Sequence, residues 1–207
     1  MSHLRYTLVG DGTSDRMLDA VIRWAIRSYD PDLRAAGEFV HSGMVRTSEL
    51  REKVRRATAL FPCDLLFIHR DAERANATED RFAEIEAAAP SEISHVVPIV
   101  PIRMTEAWFV FHEAAIRRAA NNPNGETTLD IPRVRDIERL PDPKNTVFEL
   151  LRGASGLSGR RLRSFNQAQA RARVAELIDD FSPLRAAPSF ARFEEDCRGA
   201  LNGLLRD

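Results

Sequence analysis

Leu4–Leu18, LRYTLVGDGTSDRML, is the stretch on which the reading of the chain turns. It begins as a strand over Leu4–Val9 and breaks at Gly10-Asp11-Gly12. From Asp15 to Tyr29 apolar residues recur at helical spacing, at Leu18, Val21, Ile22, Ala25 and Ile26. A buried strand that ends on two aspartates and starts a helix at once has two readings. It is an ordinary strand-to-helix turn, in which an acid suits a helix N-terminus, or the aspartates are aimed at a ligand.

Working outward, Glu38–Val40 reads as a weak second strand, and Thr47 as the cap of a helix running to Leu60. Cys63–Ile68, CDLLFI, is a continuous apolar run of the kind a central parallel strand needs. Thr78 caps a helix to about Ala89. His95–Val100 is β-rich, and Pro98 and Pro101 place it at the periphery of a sheet. Thr105 caps a further helix, EAWFVFHEAAIRRAA, in which Trp108, Phe109 and Phe111 read as core at helical spacing. Four alternations of strand and helix predict an α/β domain over residues 1–120, with a parallel sheet covered by helices on both faces. After Asn121 the character changes to loop, NNPNGETTLDIP, and then to short helices punctuated by Pro and Gly. Residues 121–207 are therefore expected to form a helical C-terminal extension packed on that domain.

The chain of 207 residues suits one domain or one domain with an appendage, and its 43% hydrophobic content can supply a core. No apolar run is long enough to span a membrane, and MSHLRYTLVGDG enters a strand pattern too early for a signal peptide. Cys63 and Cys197 fit neither a disulfide framework nor a zinc pattern. A reducing cytoplasm is the expected location. A net charge of −1 advertises no global attraction to nucleic acid. The local distribution differs, since Leu150–Ala175 holds no Asp or Glu but contains Arg152, Arg160, Arg161, Arg163, Arg171 and Arg173. Lys53 and Lys144 are the only lysines among 30 basic residues.

In a parallel sheet the carboxyl ends of the strands line one edge, where ligands bind. The first strand delivers Asp11 and Asp15 there, the third delivers Asp71 and Glu73, and Glu106 follows the fourth. Crowded acids repel one another and are costly to desolvate. A hard cation with oxygen ligands, Mg²⁺ or Mn²⁺, removes that cost. Asp11, Asp15, Asp71, Glu73 and Glu106 are therefore the candidate metal ligands, with Asp11, Asp71 and Glu73 as the catalytic candidates. Gly12 is expected to let the chain turn tightly beside the ion. His69 is close enough in sequence to join the site as a donor.

The motif DGTSD, residues 11–15, resembles the E-G-x-x-D signature of toprim domains, the metal-binding fold of topoisomerases, primases and the overcoming-lysogenization-defect nucleases. The resemblance sets Asp11 at the family's glutamate, and Asp71 with Glu73 at its D-x-D pair. MTEAWFV (104–110), PDPKNTVFELL (141–151) and PSFARFEED (188–196) are further similar to uncharacterised bacterial toprim-like proteins, some of them near phage-defence genes. It implies a toprim-like, Rossmann-like sheet and a Mg²⁺-dependent nuclease. Position 11 carries Asp for the family's Glu and position 73 the reverse. Each swap moves a carboxylate by one methylene, about 1.5 Å.

Other motifs compete. HRDAERAN, His69–Asn76, matches the kinase catalytic-loop pattern in letters, but no V-A-I-K strand precedes it and no D-F-G follows. VGDGT resembles the G-G-D-G-T of NAD and diacylglycerol kinases, which leaves a small-molecule kinase with a GDGT phosphate loop as an alternative. A non-catalytic toprim-like subunit that binds a nucleotide or a partner protein, such as an ATPase encoded nearby, is another. For the nuclease reading, Lys144, Arg160, Arg161 and Arg163 are the candidate nucleic-acid contacts, the arginines lying in a segment flanked by Gly153, Gly156 and Gly159.

Overall fold

Along β1 (His3–Val9) the side chains of Leu4, Tyr6 and Leu8 enter one hydrophobic core, and Val9 enters a second on the opposite face. This is the period-two alternation of a strand buried on both sides. The computed structural model describes residues 3–206; residues 1, 2 and 207, at the outer ends of the two predicted segments, lie outside the described residues. β2 (Arg34–Val40), β3 (Leu65–His69) and β4 (Val96–Ile99) join β1 in a wholly parallel sheet of order β2-β1-β3-β4. β4 with its Pro98 is an edge strand, as its prolines predict.

α1 (Leu18–Tyr29) links β1 to β2 and packs its buried face, Val21, Ile22, Ala25 and Ile26, into the first core. α2 (Ser42–Val45), α3 (Leu50–Leu60) and α4 (Thr78–Ala88) make the later crossovers and pack into the second core. Strand addition reverses direction after β2, and the preference for right-handed crossovers then changes the face. The fold is α/β and Rossmann-like, and its topological switch point lies between β1 and β3.

Beyond the sheet the chain is helical, with α5 (Glu113–Ala119) before residue 121 and α6 (Pro143–Ser155), α7 (Gly159–Arg163), α8 (Gln167–Glu176) and α9 (Pro188–Leu204) in the C-terminal portion. Asp142 caps α6 by accepting the Asn145 amide at 2.8 Å with Pro143 in the first turn, and Asn166 caps α8 through the Gln169 amide at 3.0 Å. Phe190, Phe193 and Leu201 of α9 enter the same core as Leu8, Phe67 and Val97 of the sheet. Trp108 is fully buried between the rings of Phe190 and Phe193, with centroids 5.2 and 5.7 Å away, and its indole N–H donates to Ser189 Oγ at 3.1 Å. Trp108 and Phe109 are core, as expected, although in a 3-10 turn rather than along an α-helical face.

Several element boundaries differ from the sequence reading: α1 starts at Leu18 after a 3-10 turn over Thr13–Met17, β3 and β4 are Leu65–His69 and Val96–Ile99, and Ala77 rather than Thr78 caps α4. β2 starts at Arg34 rather than Glu38, because Gly37 pairs with Tyr6 and leaves the room that the Tyr6 ring fills; a Cβ there would lie 2.0 Å from the ring. The single helix expected from Thr105 is a 3-10 turn, Thr105–Phe109, followed by α5. All five residues of that turn are buried, which one face of an α-helix cannot achieve. Thr47 does not cap α3; Glu49 occupies that position, and the Thr47 hydroxyl accepts the Glu49 amide at 3.3 Å.

Candidate functional site

The loop after β1 is organised by Asp15. Its Oδ2 accepts the backbone N–H groups of Asp11 at 2.7 Å and Gly12 at 3.0 Å, so the carboxylate closes the turn on itself. This draws Asp15 against Gly10, where an added Cβ would stand 2.9 Å from both Asp15 Cβ and Oδ2. Gly10 is thus the glycine that the loop requires. Gly12 is extended (φ −125°, ψ 172°), and a Cβ there would meet nothing closer than 3.7 Å. The chain bends at Asp11–Gly12, but the turn does not draw on glycine's conformational freedom at Gly12.

Asp11 lies between two cations. Lys53 Nζ, on α3, is 2.5 Å from its Oδ1, and Arg70 Nη1, just past β3, is 2.6 Å from its Oδ2. Burial pulls the Asp11 carboxyl up, but Lys53 and then Arg70 outweigh it and hold the group below the ordinary carboxylate value. Lys53 is 1% exposed, and its remaining contact is the Gly10 carbonyl at 3.4 Å. Arg70 continues to Glu84 at 3.0 Å, and Glu84 to Arg81 at 2.8 Å. Glu73 stands outside this group. Its backbone is left-handed (φ 30°), and its side chain is 77% exposed, 3.9 Å from Arg81.

Asp71 has a different environment. Its Oδ1 accepts the Thr105 hydroxyl at 3.3 Å and lies 3.5 Å from His69 Nε2, while His69 Nε2 is 3.8 Å from Asp15 Oδ2. His69 Nδ1 donates to the Ile99 carbonyl at 3.1 Å, which turns Nε2 toward Thr105 at 3.2 Å. The Thr105 hydroxyl carries one proton. It is directed at Asp71, so the hydroxyl ties the His69 ring and the Asp71 carboxyl into one hydrogen-bonded chain. Burial pushes the Asp71 carboxyl up to about 6, and Asp15 and Glu106 add to the rise against the pull of His69 and Thr105. Glu106, buried in the turn of Thr105–Phe109, is held by Arg171 Nη1 of α8 at 2.6 Å.

Four of the five predicted acids therefore gather at the carboxyl edge of the sheet: Asp11, Asp15, Asp71 and Glu106. Glu73 does not join them. Among the described residues, no group of three or more His, Cys, Asp or Glu side chains is arranged to hold a metal ion. The oxygens of Asp11 are engaged by Lys53 and Arg70, those of Asp15 by amides and the Ser14 hydroxyl, and Oε1 of Glu106 by Arg171, which leaves Asp71 and Oε2 of Glu106 as the oxygen donors suited to a hard cation. Lys144 and Arg160, Arg161 and Arg163 are exposed on α6 and α7. Lys53 and Arg171 went unassigned in the sequence reading. Its being one of two lysines in a chain that otherwise uses arginine was the available signal for Lys53. For Arg171 there was none, because its partner lies 65 residues away.

No family model, curated protein or solved structure matches the chain. Among the described residues, no helix is long and apolar enough to cross a membrane.

Proposed function

We propose that the protein is a divalent-metal-dependent phosphoryl-transfer enzyme, a nuclease of toprim type that acts on DNA or RNA in the cytoplasm, in nucleic-acid processing or phage defence. The observation that carries this reading is the convergence of Asp15, Asp71 and Glu106 on the switch point without matching positive charge around Asp71. Asp71 and Glu106 would hold Mg²⁺ or Mn²⁺. The chemistry supplied by the bound ion is neutralisation of charge on the phosphate in transit and activation of a water. His69 and Thr105 orient the Asp71 carboxylate. Asp11, held anionic by Lys53 and Arg70, is a weak proton acceptor; its part is to fix the Arg70 guanidinium beside the site.

The small-molecule kinase reading needs backbone amides free to approach a phosphate. Those of Asp11 and Gly12 are occupied by Asp15. One observation favours a second reading, a non-catalytic toprim-like subunit that binds a partner such as an ATPase: Asp11 is already neutralised and Glu73 faces away from the other acids. Incubation with single- and double-stranded DNA and RNA in Mg²⁺, Mn²⁺ or EDTA separates the two. The nuclease cleaves only with metal, its melting temperature rises with metal, and Asp71→Asn lowers cleavage by about a hundredfold or more. A protein that cleaves nothing and whose melting temperature ignores both ions is the non-catalytic subunit.

A further inference from the structure

Beside the acidic edge, between α1 and α8, runs a groove of about 430 Å³ whose lining includes Thr13, Ser14, Arg16, Arg23, Arg27 and Arg171. We infer that this groove binds the phosphate backbone of a single nucleic-acid strand and leads it to Asp71. The inference deepens the nuclease reading by naming the form of its substrate and the path it takes. It moves the contact surface away from Arg160, Arg161 and Arg163.

The first argument is periodicity. Ala20, Arg23 and Arg27 share one face of α1, Arg16 lies in the 3-10 turn Thr13–Met17 that leads into it, and all four line the groove. At 1.5 Å rise per residue Arg23 and Arg27 stand about 6 Å apart along α1, and Arg16 prolongs the stripe from the turn before it. Ala20, between Arg16 and Arg23, is small and leaves the floor open. A cleft of about 430 Å³ has room for only a few nucleotides of a single strand.

The second argument is charge balance. Among the described residues, the side chains of Arg16 and Arg27 are exposed and make no hydrogen bond or ion pair. Arg23 is oriented by Asp19, which accepts its Nε at 2.7 Å and the Tyr6 hydroxyl at 2.5 Å, and its guanidinium lies 5.9 Å from the Tyr6 ring centroid. Pre-oriented this way, Arg23 keeps further donors for a ligand. The acids of the lining are Asp19, held by Arg23 and Tyr6, and the exposed Glu176. Arginine carries paired donors that match phosphate oxygens, and a positively charged groove is the usual track for the backbone of a single strand.

The third argument is continuity with the acids. Thr13 and Ser14 belong to the loop that carries Asp11 and Asp15. Arg171 lines the groove while its Nη1 holds Glu106, and its Nε is buried with no hydrogen-bond partner among the described residues. That atom is shut away from the groove, so the link between groove and acids is the Arg171–Glu106 ion pair. A strand in the groove would pass that pair and the loop of Asp15, the two acids whose charges act on Asp71.

The test measures binding in EDTA, without cleavage, by fluorescence anisotropy of short labelled oligo-dT and oligo-U. R16A/R27A should bind both about tenfold or more weakly at 0.1 M salt, and should lower the slope of log K against log salt by about 1.4, at roughly 0.7 per lost contact. Lysine at both positions should restore part of the affinity. Arg27→Glu alone guards against a fold effect of the double variant. Unchanged affinity and slope in R16A/R27A, or their loss in R160A/R161A/R163A instead, overturns the proposal. So does a wild-type protein that binds ATP but neither strand. Binding that depends on Arg16 and Arg27 in a protein with no nuclease activity rejects the catalytic reading and keeps the groove. Cleavage by a protein whose R16A/R27A variant binds normally rejects the groove and keeps the catalysis.

Discussion

On the β1 side of the switch point, Asp11 sits between Lys53 and Arg70, and Arg70 passes on to Glu84 and Arg81. Positive and negative groups alternate there, and the Asp11 carboxyl is held down. On the β3 side, Asp15, Asp71 and Glu106 act on one another, Arg171 answers only Glu106, and Asp71 is pushed up to about 6. The two aspartates follow neighbouring parallel strands at the same edge of one sheet. What separates them is whether a cation was folded in beside them, and that decides which is an anchor and which can titrate or take a ligand.

The largest expected effect comes from breaking the balanced side. Asp11→Ala leaves the fully buried Lys53 ammonium with only the Gly10 carbonyl, and an uncompensated buried charge costs about 3 kcal/mol. Adding Lys53→Met removes that charge with a side chain of similar length and should recover most of the loss. Urea denaturation of the single and double variants measures both. A loss under about 1 kcal/mol in Asp11→Ala would mean that Lys53 does not depend on Asp11, and the contrast between the two sides would collapse.

The unbalanced side should respond with the opposite sign. A carboxyl whose folded value is raised holds its proton longer in the folded state, so folding is favoured as pH falls through about 6 toward the ordinary value of 3.8. Stability from Asp71 should therefore decline as pH rises across that window and level off above it. Asp71→Asn should flatten that slope. It should also stabilise the metal-free protein near pH 7 by about 1 kcal/mol, a modest gain because solvent screens a side chain that is 36% exposed. Asp11 works the other way, contributing stability that is lost as pH falls through its lowered value. Melting temperatures of wild type and Asp71→Asn from pH 4 to 8 read the difference, and parallel curves would reject it.

The strand-helix alternation was legible because a parallel sheet writes itself as apolar runs, and Leu65–Ile68 and Leu8–Val9 are such runs. The acidic edge was legible for the same reason: Asp11 and Asp71 follow strands directly, so topology alone brings them together. What the sequence does not carry is the partner set. Lys53 reaches Asp11 across 42 residues and Arg171 reaches Glu106 across 65. No local pattern encodes either meeting. Glu73 illustrates the limit in the other direction, since a spacing of two from Asp71 says nothing about a left-handed backbone that turns the side chain outward. The 3-10 turn at Thr105 escaped for a related reason. Its geometry answers burial of five consecutive residues, which no helical period reports.

The smallest effect concerns the loop that both sides share. The motif reading makes Gly12 the flexible point of DGTSD, so a side chain there should disturb the site. The geometry predicts the reverse. Gly12 has the extended backbone that any residue adopts, and the nearest atom to an added Cβ is Ser14 Oγ at 3.7 Å. Its N–H bond to Asp15 Oδ2 does not depend on the side chain. Alanine at such a position restricts the unfolded chain and strains nothing, so Gly12→Ala should raise stability by about 0.5 kcal/mol. Gly10→Ala should lower it, because the new Cβ must displace an Asp15 that two amides hold in place. Thermal melts of the two variants decide the matter. If Gly12→Ala destabilises and Gly10→Ala does not, the loop is organised by its second glycine after all, and Asp15 is not the residue that sets its shape.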